Sequence, residues 1–255
     1  METKPLFKTI NAALSFEVGG QIINAVNSAS VTIPTGEITI IFGPSGSGKS
    51  SLLNMISGLQ PPSIGKLRYK DTELYDRTPN ELALFRANDL GIVYQTNYWV
   101  KSLNVIENVA LPLYFLGNSQ AEAHRIAMDS LKRVDMGGYE KKNPSLLSGG
   151  EQQRIAMARA LVSNPPVIIA DEPTGNLDSK NGDMIIDLLK KINKEQKITI
   201  ILVTHNMEYL YMADHLIEIQ DGTVTEIKQA EIHNKVKSML NDAQHRIESM
   251  MDRPR

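Results

Sequence analysis

One stretch limits what this chain can fold into more than any other. Ile38-Thr39-Ile40-Ile41-Phe42 is a continuous apolar, β-branched run, and Gly43-Pro44-Ser45-Gly46-Ser47-Gly48-Lys49-Ser50 follows it directly. Such a run reads as a strand buried on both faces, inside a sheet covered by helices. The octet matches G-x-x-x-x-G-K-[ST], in which glycines let the backbone close around phosphates with its N–H groups aimed inward. From Ser50 to Gly58 the period is helical, so a helix dipole adds positive potential at the mouth of the loop. Lys49 then reaches the β- and γ-phosphates of a nucleotide and Ser50 ligates Mg²⁺. The alternative is a chance glycine-rich turn, and the strand-to-helix setting weighs against it.

Two further runs, Val167-Ile168-Ile169-Ala170 and Ile198-Thr199-Ile200-Ile201-Leu202-Val203, share this buried-strand character. Helical period occupies Gln120 to Val134, Gly150 to Val162 and Asp183 to Asn193, and the alternation predicts an α/β fold with a mainly parallel sheet. The first thirty residues alternate loosely (Leu14, Phe16 and Val18 against Ala13, Ser15 and Glu17), which predicts an antiparallel β edge. From about Asp89 to Ser163 the chain reads as mostly helical. A helical subdomain, about 96–163, is therefore expected inside a domain spanning 1–225. Beyond the Asp221-Gly222 turn, Ile232, Val236, Met239, Leu240, Ala243, Ile247 and Met250 recur at steps of three and four, predicting an amphipathic helical tail over 226–255.

Composition closes off several classes. There is no cysteine, which excludes a disulfide framework, thiol catalysis and thiolate zinc. A net charge of −2 argues against a dedicated nucleic-acid binder. No apolar run approaches the roughly 18–20 residues that cross a bilayer, and the opening residues do not resemble a signal peptide. The chain is expected to stay in the compartment that made it, without inserting into a membrane.

Two more patterns carry chemistry. Val167 to Ala170 ends in Asp171-Glu172, placing two acids at the carboxyl end of a strand, where ligands of α/β sheets bind. Asp171 is the candidate Mg²⁺ holder and Glu172 the base or polariser of an attacking water. Leu147-Ser148-Gly149-Gly150-Glu151 contains a capping box, so a helix starts there and its open N–H groups form a second anion cradle. One chain needs only one cradle per triphosphate. The second is expected to close over nucleotide held by another protomer, an ordinary capped helix being the alternative.

In this order, the phosphate loop, Gln95, Leu147 to Arg154, the acid pair, Gly175-Asn176-Leu177-Asp178 and Thr204-His205 resemble the ATPase subunit of an ABC transporter over about residues 12–225. Ala170 to Asp178 and Val105 to Leu113 look like the lipoprotein-release and macrolide-efflux class of exporters. The resemblance implies that Gln95 senses Mg²⁺ and the γ-phosphate. It also implies that Ser148, Gly149 and Gly150 contact the γ-phosphate in the opposite subunit of a homodimer, that Asp178 lies at the dimer seam, and that His205 contacts the γ-phosphate. Without the family, His205 reads as a satisfied loop histidine. Phe16 fits the adenine-stacking aromatic, or else fills a core strand position, and departs from the commoner tyrosine. Ser51 stands beside the metal-binding serine where threonine is common. Tyr98 and Trp99 either border the groove for a membrane subunit's coupling helix or pack the helical subdomain.

The implied function is an ATPase that drives a separate transmembrane permease from the cytoplasmic face of the inner membrane, for export or extraction of a lipoprotein, lipid, peptide or drug-like substrate. Mechanotransmission to a membrane partner without transport is the alternative. Soluble ABC proteins of DNA maintenance or translation need a long coiled-coil insertion or two cassettes per chain, and this sequence has neither.

Overall fold

The computed structural model describes residues 4–251, with side chains through residue 241. β1 (Pro5–Val18) and β2 (Gln21–Ala29) form an antiparallel hairpin, followed by the short β3 (Thr32–Pro34). β4 (Ile38–Phe42) passes through the glycine loop into α1 (Lys49–Ile56). β5 (Ile64–Tyr69) and β6 (Thr72–Glu73) precede α2 (Pro79–Asp89), which starts at a Thr78–Glu81 capping box, and β7 (Leu90–Tyr94). Then come α3 (Val105–Phe115), α4 (Gln120–Arg133) and α5 (Gly149–Leu161). The chain continues through β8 (Val167–Asp171), α6 (Ser179–Gln196), β9 (Thr199–Thr204), the hairpin of β10 (His215–Gln220) and β11 (Thr223–Ile227), and α7 (Gln229–Met251).

The strands join in the order β6-β5-β1-β2-β11-β10-β4-β9-β8-β7, with β3 against β1. From β10 to β7 the neighbours run parallel, whereas β1, β2, β5 and β6 pair antiparallel, the edge expected from the N-terminal alternation. Successive side chains of a strand point to opposite faces. Ile40, Ile168 and Ile200 accordingly enter one core with Val109, Ala127, Ile155 and Leu189, from α3 to α6. Their neighbours Ile41, Ile169 and Ile201 enter the other with Leu52 and Met55 of α1 and with Phe7 and Leu14 of β1. Both faces are covered, which is why these strands read as unbroken apolar runs. Each such side chain, fully buried, contributes roughly 1.5–3 kcal/mol.

Two expectations need correction. The stretch from Asp89 is not helical at its start, because Leu90–Tyr94 is the strand β7 at the end of the sheet. Gly91 interrupts that run, so it does not read as a strand. The glycine is required because a Cβ there would collide with the Ala160 carbonyl of α5. The boundary placed at 225 falls inside β11, which continues to Ile227. In α7, Ile232 and Val236 are buried, and Met239 and Leu240 pack on the same core. Ala243, Ile247 and Met250 lie outside the residues whose side chains are described.

Candidate active site

Parallel pairing brings the chemistry to one edge of the sheet. Phe42 pairs with Thr204, Val203 with Asp171, and Asp171 with Tyr94. The next residues along β4, β8, β9 and β7 are Gly43, Glu172, His205 and Gln95. Four positions far apart in sequence thus meet at the carboxyl ends of adjacent strands, where α/β proteins bind ligands.

The phosphate loop is held by its neighbours. Gly43 has φ 154° and Gly48 φ 109°, and a Cβ on either would strike a backbone carbonyl, of Ile219 and Ala25 respectively. The amide of Gly222 donates to Ser47 O at 2.9 Å, and Asn27 N donates to Gly222 O at 2.8 Å. Strand β2 and the β10–β11 turn therefore brace the loop. In sequence Asp221-Gly222 reads only as a turn, and the turn dipeptide is the one local signal of this bracing role. Lys49 is only 8% exposed, and its ammonium donates to the carbonyls of Gly43 at 2.9 Å and Pro44 at 2.8 Å. A cleft of about 450 Å³ runs along Gly46, Lys49, Ser50 and Ser51 to Ile23 of β2. Phe16 pairs with Ile23 across the hairpin and is 39% exposed, beside this cleft but not lining it. Its place is not the core strand position considered above.

The acid pair sits at the end of β8. Burial raises the pKa of Asp171, as does its neighbour Glu172, while Lys49 opposes the shift. An adjacent cation relieves both effects. Asp171 and Ser50 offer side-chain oxygens and Gln95 its amide oxygen, the donor chemistry Mg²⁺ takes, so the residues fit that ion. Glu172 has φ 49°, a left-handed conformation uncommon for a non-glycine residue. Its amide donates to Val203 O at 2.9 Å, and its Oε2 lies 2.7 Å from Nδ1 of His205. With Nδ1 as donor to that carboxylate, Nε2 can donate to a phosphate only in the imidazolium form. Gln95 lies against the chain after the acids: Asn176 Nδ2 donates to Gln95 O at 3.2 Å. Gln153 of α5 donates to Tyr94 O at 3.2 Å, tying α5 to the strand before Gln95.

The second cradle is built as the capping box requires. Ser148 caps α5, accepting from Glu151 N at 3.4 Å, and its hydroxyl donates to Glu151 Oε2 at 2.8 Å. Gly150 has no room for a Cβ because Asn181 of α6 lies against it, and Gly149 faces Leu177. The cradle therefore adjoins the segment containing Asp178, whose carboxylate caps α6 by accepting from Asn181 N at 2.9 Å. Ser148 to Gly150 do not line the cleft over their own chain's phosphate loop. Hydrogen bonds from Ser148, then from Tyr139, hold Glu151 near pKa 2 against an ordinary 4.5. A depressed folded-state pKa gives stability that is complete above the unfolded value and is lost as pH falls. Urea midpoints of the native chain and Glu151→Gln should therefore differ at pH 7 and converge between pH 4.5 and about 2. An offset that stays constant down this series would show that the charged box is not its source.

Trp99 is a packing residue. Its indole N–H donates to Gln152 Oε1 at 2.8 Å, and the Arg159 guanidinium lies 4.6 Å from its ring centre. Tyr98 instead is 70% exposed and borders an apolar groove of about 600 Å³ with Leu84, Ile92, Leu111 and Phe115.

A parallel sheet, a glycine cradle and an acid pair at its edge define a nucleoside-triphosphate hydrolase of the phosphate-loop class. The ABC transporter family profile matches residues 26–175, and the chain belongs to that family. It is 37% identical over 221 residues to the lipoprotein-releasing system ATP-binding protein LolD of Desulfotalea psychrophila, covering 87% of this chain and 99% of that one. It is 39% identical to the ABC transporter ATP-binding protein MJ0796 of Methanocaldococcus jannaschii, over 86% of this chain and 95% of that one. The dimeric ATP-binding cassette MJ0796 bound to ADP and Pi superposes with a TM-score of 0.81 at 38% identity, covering 88% of this chain and 98% of that one. The chain is an ATP-binding and ATP-hydrolysing subunit of an ABC transporter.

Proposed function

We propose that this chain powers a separate transmembrane permease subunit for export or extraction of a lipoprotein, lipid, peptide or drug-like molecule, from the cytoplasmic face of the inner membrane. The observation that carries the reading is the apolar groove between α2, β7 and α3. Leu84, Tyr98 and Phe115 are 51%, 70% and 77% exposed there, an unusual use of large apolar side chains on a water-facing surface. No helix among the described residues is long and apolar enough to cross a membrane. The relative named for lipoprotein release supports the cargo class.

In the catalytic cycle, Lys49 and the amides of the glycine loop bind the β- and γ-phosphates. Ser50, Asp171 and Gln95 would hold Mg²⁺, which when bound neutralises charge on the phosphate oxygens. Glu172 orients and polarises the attacking water, and His205 holds the Glu172 carboxylate and faces the γ-phosphate. Phe16 stacks on adenine from the hairpin edge. Two chains pair so that Ser148, Gly149 and Gly150 of one contact the γ-phosphate on the other, with Asp178 at the seam. For Ser148 this means turning its hydroxyl proton from Glu151 to the phosphate. The ATPase domain of this reading runs to the end of β11 at Ile227, with its helical subdomain at about 96–163, and the tail follows.

Photo-crosslinking from position 84 in intact cells tests the groove. The expected product is a polytopic membrane protein with a large extracytoplasmic part. Phe115→Ala should keep the ATPase rate of the isolated chain and lower its stimulation by that partner about tenfold or more, as for a buried anchor worth ≥2 kcal/mol. Crosslinks to soluble proteins alone would overturn the assignment.

A further inference from the structure

His205 is poorly held by its own surroundings. Its side chain is 67% exposed, so its direction depends on the Glu172 bond and on the backbone that carries it. That backbone leaves β9 and enters a 3₁₀ helix, Met207–Met212, capped by Asn206, whose side chain accepts from Glu208 N at 2.9 Å. Helices of this kind have poor hydrogen-bond geometry and rarely run beyond 3–4 residues, so one of six residues needs support from packing. The support comes from the tail. Val236 of α7 is fully buried and Ile232 is 6% exposed, in the core that contains Leu210. Met207 and Met212 pack against the same core, as do Met239 and Leu240. The His233 ring lies 5.7 Å from that of Tyr211, and Lys235 pairs with Glu218 of β10 at 2.9 Å, which sets the position of α7 along the strand.

The tail's apolar face thus packs beside the segment that follows a candidate catalytic residue.

We propose that α7 is a positioning element for hydrolysis: Ile232 and Val236 hold the Met207–Met212 helix in place, and with it His205 against Glu172. The proposal rests on the role assigned to His205 above. Its consequence is that tail variants act on turnover through His205, not on nucleotide binding.

A double-mutant cycle on the full-length chain decides it, using single-turnover hydrolysis of MgATP with enzyme in excess. His205→Ala alone should lower the rate about 100-fold, the scale of one lost charge-stabilising donor. If it does not, the role of His205 falls, and this is seen before any tail variant is made. Val236→Ala should lower the rate about 5-fold at unchanged nucleotide affinity, since small displacements of a reacting group cost turnover, and Val236→Ile should restore it. In the His205→Ala background, Val236→Ala should change nothing further. A native rate in Val236→Ala, or the same 5-fold loss in both backgrounds, overturns the proposal. Should Val236→Ala not fold, Ile232→Val removes a single methylene from the same face and enters the same cycle under the same criteria.

Discussion

Glu172→Gln is expected to bind MgATP with near-native affinity and to lose turnover by roughly 10²–10⁴-fold, the contribution of a positioned general base. The substitution keeps size and shape, so the left-handed backbone at φ 49° and the Glu172 N to Val203 O bond at 2.9 Å should persist. What disappears is the negative carboxylate proposed to polarise water, which accepts from His205 Nδ1 at 2.7 Å. In the proposed cycle hydrolysis separates two chains closed over nucleotide, so the variant should accumulate as an ATP-bound dimer in size-exclusion runs. A Glu172→Gln chain that hydrolyses ATP at the native rate would remove Glu172 from the mechanism.

Lys49→Ala acts earlier, on binding. Lys49 is almost fully buried and its ammonium is held by the carbonyls of Gly43 and Pro44, which fixes it at the proposed phosphate site. Truncating one partner of a buried, hydrogen-bonded charge pair costs about 2–5 kcal/mol, which corresponds to roughly 30- to several-thousand-fold in affinity. Titration with a fluorescent ATP analogue should show that loss, and the variant should stay monomeric with or without ATP. The two variants separate the site into its halves: one binds without turning over, the other does not bind. Near-native affinity in Lys49→Ala would mean that the loop amides alone hold the triphosphate.

Much of this site could be read before folding because its groups are local. The phosphate loop works through the backbone of eight consecutive residues, and Ser148 with Glu151 forms a cap within a single turn. Asp171 and Glu172 follow an apolar run whose end can be recognised from the residues alone. Features that depend on neighbours in space were less visible. β7 has no clear strand pattern in sequence because Gly91, required there by the Ala160 carbonyl of α5, breaks its apolar run. The bracing of the phosphate loop by Ala25, Ile219 and Gly222 has no local signature, since those residues come from β2 and the β10–β11 hairpin, remote from the loop in sequence. Trp99 could have faced a groove or a core, and only the positions of Gln152 and Arg159 decide that it packs inward while Tyr98 faces out.

Residue order alone determined that this chain would form a covered parallel sheet with a glycine cradle between strand and helix, because burial on both faces and glycine-loop geometry are encoded in runs of a few residues. The tertiary structure decided which strand ends stand side by side. Sheet order and register bring Gln95, Glu172 and His205 together, and no local pattern specifies that pairing. It decided as well where the tail's apolar stripe would be buried. An amphipathic helix shows that it has a face to cover, but the surface that covers it depends on shape and on exposed apolar area elsewhere in the fold. Here that surface is the segment behind His205.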